Sequence, residues 1–275
     1  MKNKVALVFF LILLSCASND VGKRFDLALN LTNQNNWQKQ IIKTNSTFDF
    51  VAFEPKNKNK SNLLTIFIEG DGFSWSSRYQ VSNNPTPKDP AALKMALKYG
   101  EKNKEVALYL ARPCQYIDFK TQPNCYPKYW SDYRFAQQVI DSTNIAIDLL
   151  KKKYHSSKVK LIGYSGGGAV AALVATKRSD VKELITIAGN LDIEEWVNYH
   201  HISKLSGSLN PADYADILQK VPQRHYVGLE DKIIPSKITQ HYVDKLNNKE
   251  DVKIFLIEKF NHKCCWSDAA IIDQL

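Results

Sequence analysis

The stretch Gly163-Tyr164-Ser165-Gly166-Gly167-Gly168 has the spacing G-x-S-x-G. A β-type run, Val159-Lys160-Leu161-Ile162, precedes it, and a small-residue helical run from Ala169 to Ala175 follows. A serine between such a strand and helix sits on a sharp, strained turn. Glycines on both sides give the room the two elements need as they approach. The turn exposes the Ser165 Oγ as a nucleophile. It also aims the Gly166 N–H and a helix N-terminus at developing negative charge. An ordinary glycine-rich strand-to-helix turn is the other use of such a segment. A phosphate loop is excluded, because no Gly-Lys-Ser/Thr follows.

The elements that must hold this turn alternate along the chain. Leu63 to Ile68 and Val106 to Ala111 are continuous apolar runs, as expected of central strands covered on both faces. Trp37–Thr44 and Thr47–Glu54 are β-like, and Glu183–Gly189, Arg224–Gly228 and Lys253–Ile257 are further strands. Helical spacing runs from Pro90 to about Tyr99, from Arg134 to Tyr154, from about Ser236 to Leu246 and from Trp266 to Leu275. This alternation predicts an α/β fold, with a mostly parallel central sheet and helices on both faces. One long segment, about 191–221, interrupts it with Trp196, Tyr199, Leu205, Leu209 and Tyr214. It reads either as a helical lid over the site or as helices packed on the sheet edge.

The order of chemical groups downstream of Ser165 resembles that of the α/β-hydrolases, which run nucleophile, acid, histidine. The strand ending at Gly228 leads into Leu229-Glu230-Asp231-Lys232-Ile233-Ile234-Pro235, similar to the acid loop of that family. The last strand leads to Lys259-Phe260-Asn261-His262, where the family places its general base. The resemblance implies a Ser165-Asp231-His262 triad. Ser165 attacks an acyl carbonyl, His262 moves the proton, and Asp231 holds the histidine tautomer. Asp192 is the alternative acid; its competing use is as a helix N-cap, with Glu195 three residues on. For His155, His200, His201, His225 and His241, surface or core packing is expected.

The oxyanion hole needs a second donor besides Gly166, expected in the turn Glu69-Gly70-Asp71-Gly72-Phe73. The N–H groups of Asp71 and Gly72 are the candidates. Two carboxylates there depart from the family pattern, and one aimed at the oxyanion would oppose catalysis. Both are therefore expected to turn away and meet a cation, with Arg112 the nearest in prospect. These segments, with Arg112-Pro113-Cys114, Ala188-Gly189-Asn190-Leu191-Asp192 and Gly207-Ser208-Leu209-Asn210-Pro211, resemble a group of poorly characterised bacterial α/β-hydrolase lipoproteins. That group transfers no substrate, and the fold hosts many chemistries.

The N-terminus reads as a targeting segment over residues 1–15. A basic Met1-Lys2-Asn3-Lys4 precedes an apolar run from Val5 to Leu14, too short to span a bilayer. Leu13-Leu14-Ser15-Cys16 resembles the bacterial lipobox, which implies cleavage before Cys16 and its lipidation. Cleavage after Ala17 is the alternative. With Ala17 rather than Asp after the cysteine, the lipoprotein sorting pattern implies the outer membrane of a bacterial envelope. Residues 16–36 then form a tether and short helix, and 37–275 the hydrolase domain.

The other cysteines are Cys114, Cys125, Cys264 and Cys265. In an exported chain an even number suggests disulfides. All three connectivities are open, with Cys114–Cys125 preferred; Cys264 and Cys265 either bridge to each other or stay reduced. Neither pair has zinc-ligand spacing.

At 275 residues and 44% hydrophobic content, the chain can bury one large core. Its net charge of +9 is scattered rather than focused with aromatics, which argues against nucleic-acid binding. No metal or organic cofactor is implied. The expected partners are a small-molecule or lipid ester and, through the anchor, a membrane. A peptidase, thioesterase or acyltransferase would use the same triad. A non-catalytic envelope binding protein would need none of it.

Overall fold

The computed structural model describes residues 20–57, 60–103 and 105–275. The expected signal peptide and Cys16 lie outside them. Residues 20–34 are helical (α1). The strands are β1 (Trp37–Ile42), β2 (Phe50–Pro55), β3 (Leu63–Ile68), β4 (Trp75–Ser77), β5 (Gln80–Val81), β6 (Val106–Leu110), β7 (Lys158–Tyr164), β8 (Val181–Ile187), β9 (Gln223–Gly228) and β10 (Val252–Ile257). The further helices are α2 (Ala91–Lys102), α3 (Gln137–Tyr154), α4 (Gly166–Ala175), α5 (Ile193–His200), α6 (Ala215–Leu218), α7 (Ser236–Asp244) and α8 (Ala269–Ile272).

Eight strands form one sheet in the order β1-β2-β6-β3-β7-β8-β9-β10, and β4 and β5 form a separate hairpin. β1–β2 and β2–β6 pair antiparallel, and all other neighbours in the large sheet pair parallel. The apolar runs explain this burial. Along β3, Leu64, Ile66 and Ile68 enter the core layer shared with α3, α4 and α7, while Phe67 faces the layer of α2 and α8. Strands sealed on both faces have no polar side to present, which is why they read as unbroken hydrophobic runs.

The parallel arrangement brings the C-terminal ends of β3, β6, β7, β9 and β10 to one edge. The chain order reverses on either side of β3 and β7, the place where α/β sheets open a crevice. In the 191–221 segment, Pro211, Ala212, Ala215 and Leu218 are buried in the sheet layer. α5 buries Ile193 and Val197 in the same layer, and its half-buried Trp196 donates from Nε1 to the Ile233 carbonyl (2.8 Å). Helix ends differ from their expected extents: α2 runs on to Lys102 and α7 stops at Asp244. α3 starts at Gln137 rather than Arg134, because Ala136 is extended (ψ 155°). The C-terminal helix is the single turn Ala269–Ile272.

Candidate active site

Ser165 joins β7 to α4 with φ 54° and ψ −124°, a conformation that costs a non-glycine residue energy. Hydrogen bonds hold it there. Its N–H donates to the Ile187 carbonyl (2.9 Å), and its carbonyl accepts from Gly168 (2.9 Å) and Asn190 (3.1 Å). The glycines permit the crossing: a Cβ on Gly163 would overlap the Gly167 backbone, and one on Gly167 would overlap the carbonyls of Ile68 and Glu69.

The loops after β7, β9 and β10 converge on a hydrogen-bonded row. His262 Nε2 lies 2.9 Å from Ser165 Oγ, and His262 Nδ1 lies 2.8 Å from Asp231 Oδ2. An ionised carboxylate can only accept, so Nδ1 carries the proton and Nε2 is left to accept from the Ser165 hydroxyl. Asp231 is buried, and its Oδ1 accepts from the N–H groups of Ile233 (2.8 Å) and Ile234 (2.9 Å). The imidazole is also braced from behind. The His262 carbonyl accepts from the Tyr164 hydroxyl (2.6 Å) and Trp266 Nε1 (3.2 Å), and the Tyr164 and His262 ring centroids lie 5.5 Å apart. Tyr164, the x before the serine in the motif, offered no signal of this from spacing.

Asp192 is not part of that row. It is fully buried and caps α5 through the Glu195 N–H (3.2 Å), while its other oxygen meets His241 Nδ1 (2.7 Å) and Lys245 Nζ (2.9 Å). Burial works against its charge, but Lys245, His241 and the capping N–H together hold the carboxyl below its ordinary range. Its geometry is that of an N-cap. His225 is sealed in the core against Thr186 Oγ1 (2.8 Å), and burial lowers it to about 3.

The turn after β3 lies against the serine, with Gly70 packed on the Ser165 side chain. The N–H groups of Gly166, Asp71 and Gly72 make no hydrogen bond among the described residues. They remain available as donors. Gln115 Nε2 donates to the Gly70 carbonyl (3.0 Å), and Ser74 Oγ donates to that of Asp71 (2.7 Å), fixing the turn from two sides.

The two carboxylates of this turn behave differently. Asp71 turns onto Arg112 Nη1 (3.0 Å) and also onto Arg134 Nη1 (2.7 Å). Burial opposes its ionisation, yet Arg134 and Arg112 outweigh that and hold it below its usual value. Its carboxylate fills the space where a Cβ on Gly166 would sit. The expected Arg112 contact is present; Arg134, read as part of a helix, was missed. Glu69 forms no ion pair among the described residues, contrary to expectation. Its Oε1 accepts from Gly70 N–H (2.9 Å) and reaches Ala92 N–H (3.5 Å) at the start of α2, while Oε2 has no partner among the described residues. Burial raises it to about 7, against the pull of those N–H groups. A helix N-terminus takes the place of the cation.

Cys114 and Cys125 are bonded, as are Cys264 and Cys265. The first bridge closes the loop behind Arg112, where Cys114 (φ 70°) and Tyr116 (φ 57°) both take the left-handed conformation. The second lies two residues beyond His262.

No protein-family model and no curated protein matches the chain. Solved structures do. The backbone is similar to Est1E from Butyrivibrio proteoclasticus, at 14% identity and a TM-score of 0.59, over 86% of this chain and 96% of that one. It is similar to the esterase PF2001 of Pyrococcus furiosus, at 12% identity and a TM-score of 0.56, over 82% of each chain. It is also similar to an alpha-beta serine hydrolase homologue from Coxiella burnetii, at 12% identity and a TM-score of 0.53, over 86% of this chain and 92% of that one. Identities this low speak for the path of the backbone and not for a substrate. The sheet order, the crevice at its C-terminal edge and these likenesses together give the chain the α/β-hydrolase fold.

Proposed function

We propose that the protein is an exported, lipid-anchored serine hydrolase acting on ester bonds. The observation that carries the reading is the row Ser165 Oγ–His262 Nε2 and His262 Nδ1–Asp231 Oδ2, beside three uncommitted backbone donors. A binding protein gains nothing from a serine held at φ 54°.

In the proposed reaction, His262 Nε2 takes the Ser165 proton as Oγ attacks the ester carbonyl. The tetrahedral oxyanion accepts from the Gly166 N–H and from Asp71 or Gly72. His262 then gives its proton to the departing alcohol, leaving an acyl-serine. Water, activated by the same imidazole, releases the acid and restores the serine. Asp231 stays ionised and stabilises the imidazolium that forms twice per cycle.

A fluorophosphonate probe tests the nucleophile: it should label the protein and fail on Ser165→Ala. No labelling of the folded protein would defeat the reading. Acyl esters of graded length then define the substrate. Ferulic acid has been seen bound to Est1E, so ferulate esters belong in the same panel. The anchor rests on Leu13-Leu14-Ser15-Cys16. Intact-mass analysis should find acyl mass on a chain starting at Cys16; a soluble product starting at Ser18 would refute it.

A further inference from the structure

The β4–β5 hairpin leaves the oxyanion turn and projects two aromatic side chains outward. Trp75 is 42% exposed and Tyr79 is 85% exposed. The tip is free, but the base is fixed. Ser74 Oγ is bonded to the Asp71 carbonyl, Ser82 N–H to the Ser74 carbonyl (2.9 Å), Phe73 N–H to the Pro85 carbonyl (3.0 Å) and Trp130 Nε1 to the Ser82 carbonyl (2.9 Å). Nothing in the core needs Trp75 or Tyr79. Soluble surfaces do not favour such rings, whereas the headgroup layer of a bilayer does.

The first turn of α1 is fastened to the same corner. Arg24 donates to the carbonyls of Thr86 (2.8 Å) and Asn84 (3.2 Å), and its guanidinium lies 5.0 Å from the Phe73 ring centroid. Asp20 pairs with Arg24 one turn earlier (3.2 Å). Four peptide units separate Cys16 from Asp20, a reach of at most about 14 Å. A lipid on Cys16 therefore holds this corner near the membrane.

The charges suit an anionic surface. Arg78 lies over Tyr79 (5.6 Å) and Lys88 over the Phe73 ring (4.0 Å), and both are exposed. Two acidic groups at this corner, Asp20 and Asp89, are each paired with a cation, Arg24 and Lys94. Basic side chains beside aromatic ones bind anionic headgroups.

We infer that the hairpin Trp75–Val81 docks into the headgroup layer of an anionic bilayer and holds the Ser165 crevice at its surface, so that the substrate is a membrane-resident acyl ester. This rests on the hydrolase and anchor readings above. The anchor supplies residence on the membrane, and the hairpin supplies orientation.

The test uses the full lipidated chain in vesicles of phosphatidylethanolamine and phosphatidylglycerol. A polarity-sensitive thiol fluorophore is placed at Ser77→Cys, with a control at Lys152→Cys, near the C-terminal end of α3 on the opposite sheet edge. The hairpin probe should shift to apolar emission and the control should not. In Trp75→Ser/Tyr79→Ser, the rate on an ester embedded in the vesicles should fall about tenfold, while the rate on a soluble short ester stays within about twofold. A hairpin probe that remains aqueous on vesicles overturns the proposal, as does an equal loss on both substrates. A probe that shifts only with envelope proteins also overturns it, in favour of a protein partner. The fluorescence needs no turnover, so it still reads out if the hydrolase reading fails. Intact mass on the same sample separates failure of the anchor, which would remove the proposal's basis, from failure of the docking alone.

Discussion

Arg134 Nη1 lies 2.7 Å from Asp71 Oδ2, tying the segment before α3 to the turn after β3. Arg112 holds the other oxygen of the same carboxylate. The clamp keeps a negative charge engaged beside Gly166 and fixes the turn that carries the Asp71 N–H. Two guanidiniums on one carboxylate leave that cluster with one net positive charge.

Removing one arm should show both effects. Arg134→Ala leaves the half-buried Asp71 with one partner, and stability should fall by about 2–3 kcal/mol in denaturant titration. Turnover of a short ester should drop about 10–100-fold with KM little changed, because the donors it orients act on the transition state.

Asp231 and Asp192 should separate cleanly. Asp231→Asn keeps the fold and loses about 10³–10⁴ in kcat, since the wrong histidine tautomer is favoured. Asp192→Asn still caps α5 but loses its ion pair with Lys245 and its carboxylate contact with His241. It should lower the melting temperature while activity at moderate temperature stays near normal. Rates on one activated ester, beside thermal melts of both variants, decide it. Turnover retained in Asp231→Asn and lost in Asp192→Asn would reverse the assignment.

Glu69 should make the fold less stable as pH rises. Its ordinary value is 4.5, and burial lifts it to about 7. Between those values the folded chain holds a proton that the unfolded chain has released. Its contribution therefore falls as pH climbs through that window and levels off above it. The cost is about 3 kcal/mol at full ionisation. In Glu69→Gln, the difference in stability between about pH 5 and about pH 8 should shrink. An unchanged difference would show that Glu69 is not its source.

The Cys114–Cys125 bridge closes a short loop, the two residues standing 11 apart in sequence. Cys114→Ala/Cys125→Ala should cost about 2–3 kcal/mol in unfolding free energy. Peptide mapping without reductant checks the pairing directly. A Cys114 link to Cys264 or Cys265 would reject it.

Much of the fold was legible because its signals are local. Leu63 to Ile68 had to be a strand sealed on both faces, since no polar side alternates along it. Gly163 and Gly167 marked a close crossing, because only a missing Cβ allows backbone to meet backbone there. The positions of Ser165, Asp231 and His262, each just after a strand, placed them on one edge once those strands were parallel. Helix ends were less legible. Arg134 has good helical propensity, yet it stands before α3, past the extended Ala136, and Asp71, 63 residues away, holds its guanidinium. Glu69 was expected beside a cation and instead lies at the start of α2, a partner made of backbone that no side-chain pattern announces.

The sequence by itself determined the strand–helix alternation, the elbow around Ser165 and the order of serine, acid and histidine. Each depends on residue type over a few neighbouring positions. Only the tertiary structure decided that His262 faces Asp231 while Asp192 faces His241 and Lys245, that Tyr164 and Trp266 brace the imidazole, and that Arg134 closes on Asp71. Those are contacts between side chains far apart in the chain, selected by how the loops pack at the sheet edge, and packing is a property of the whole fold.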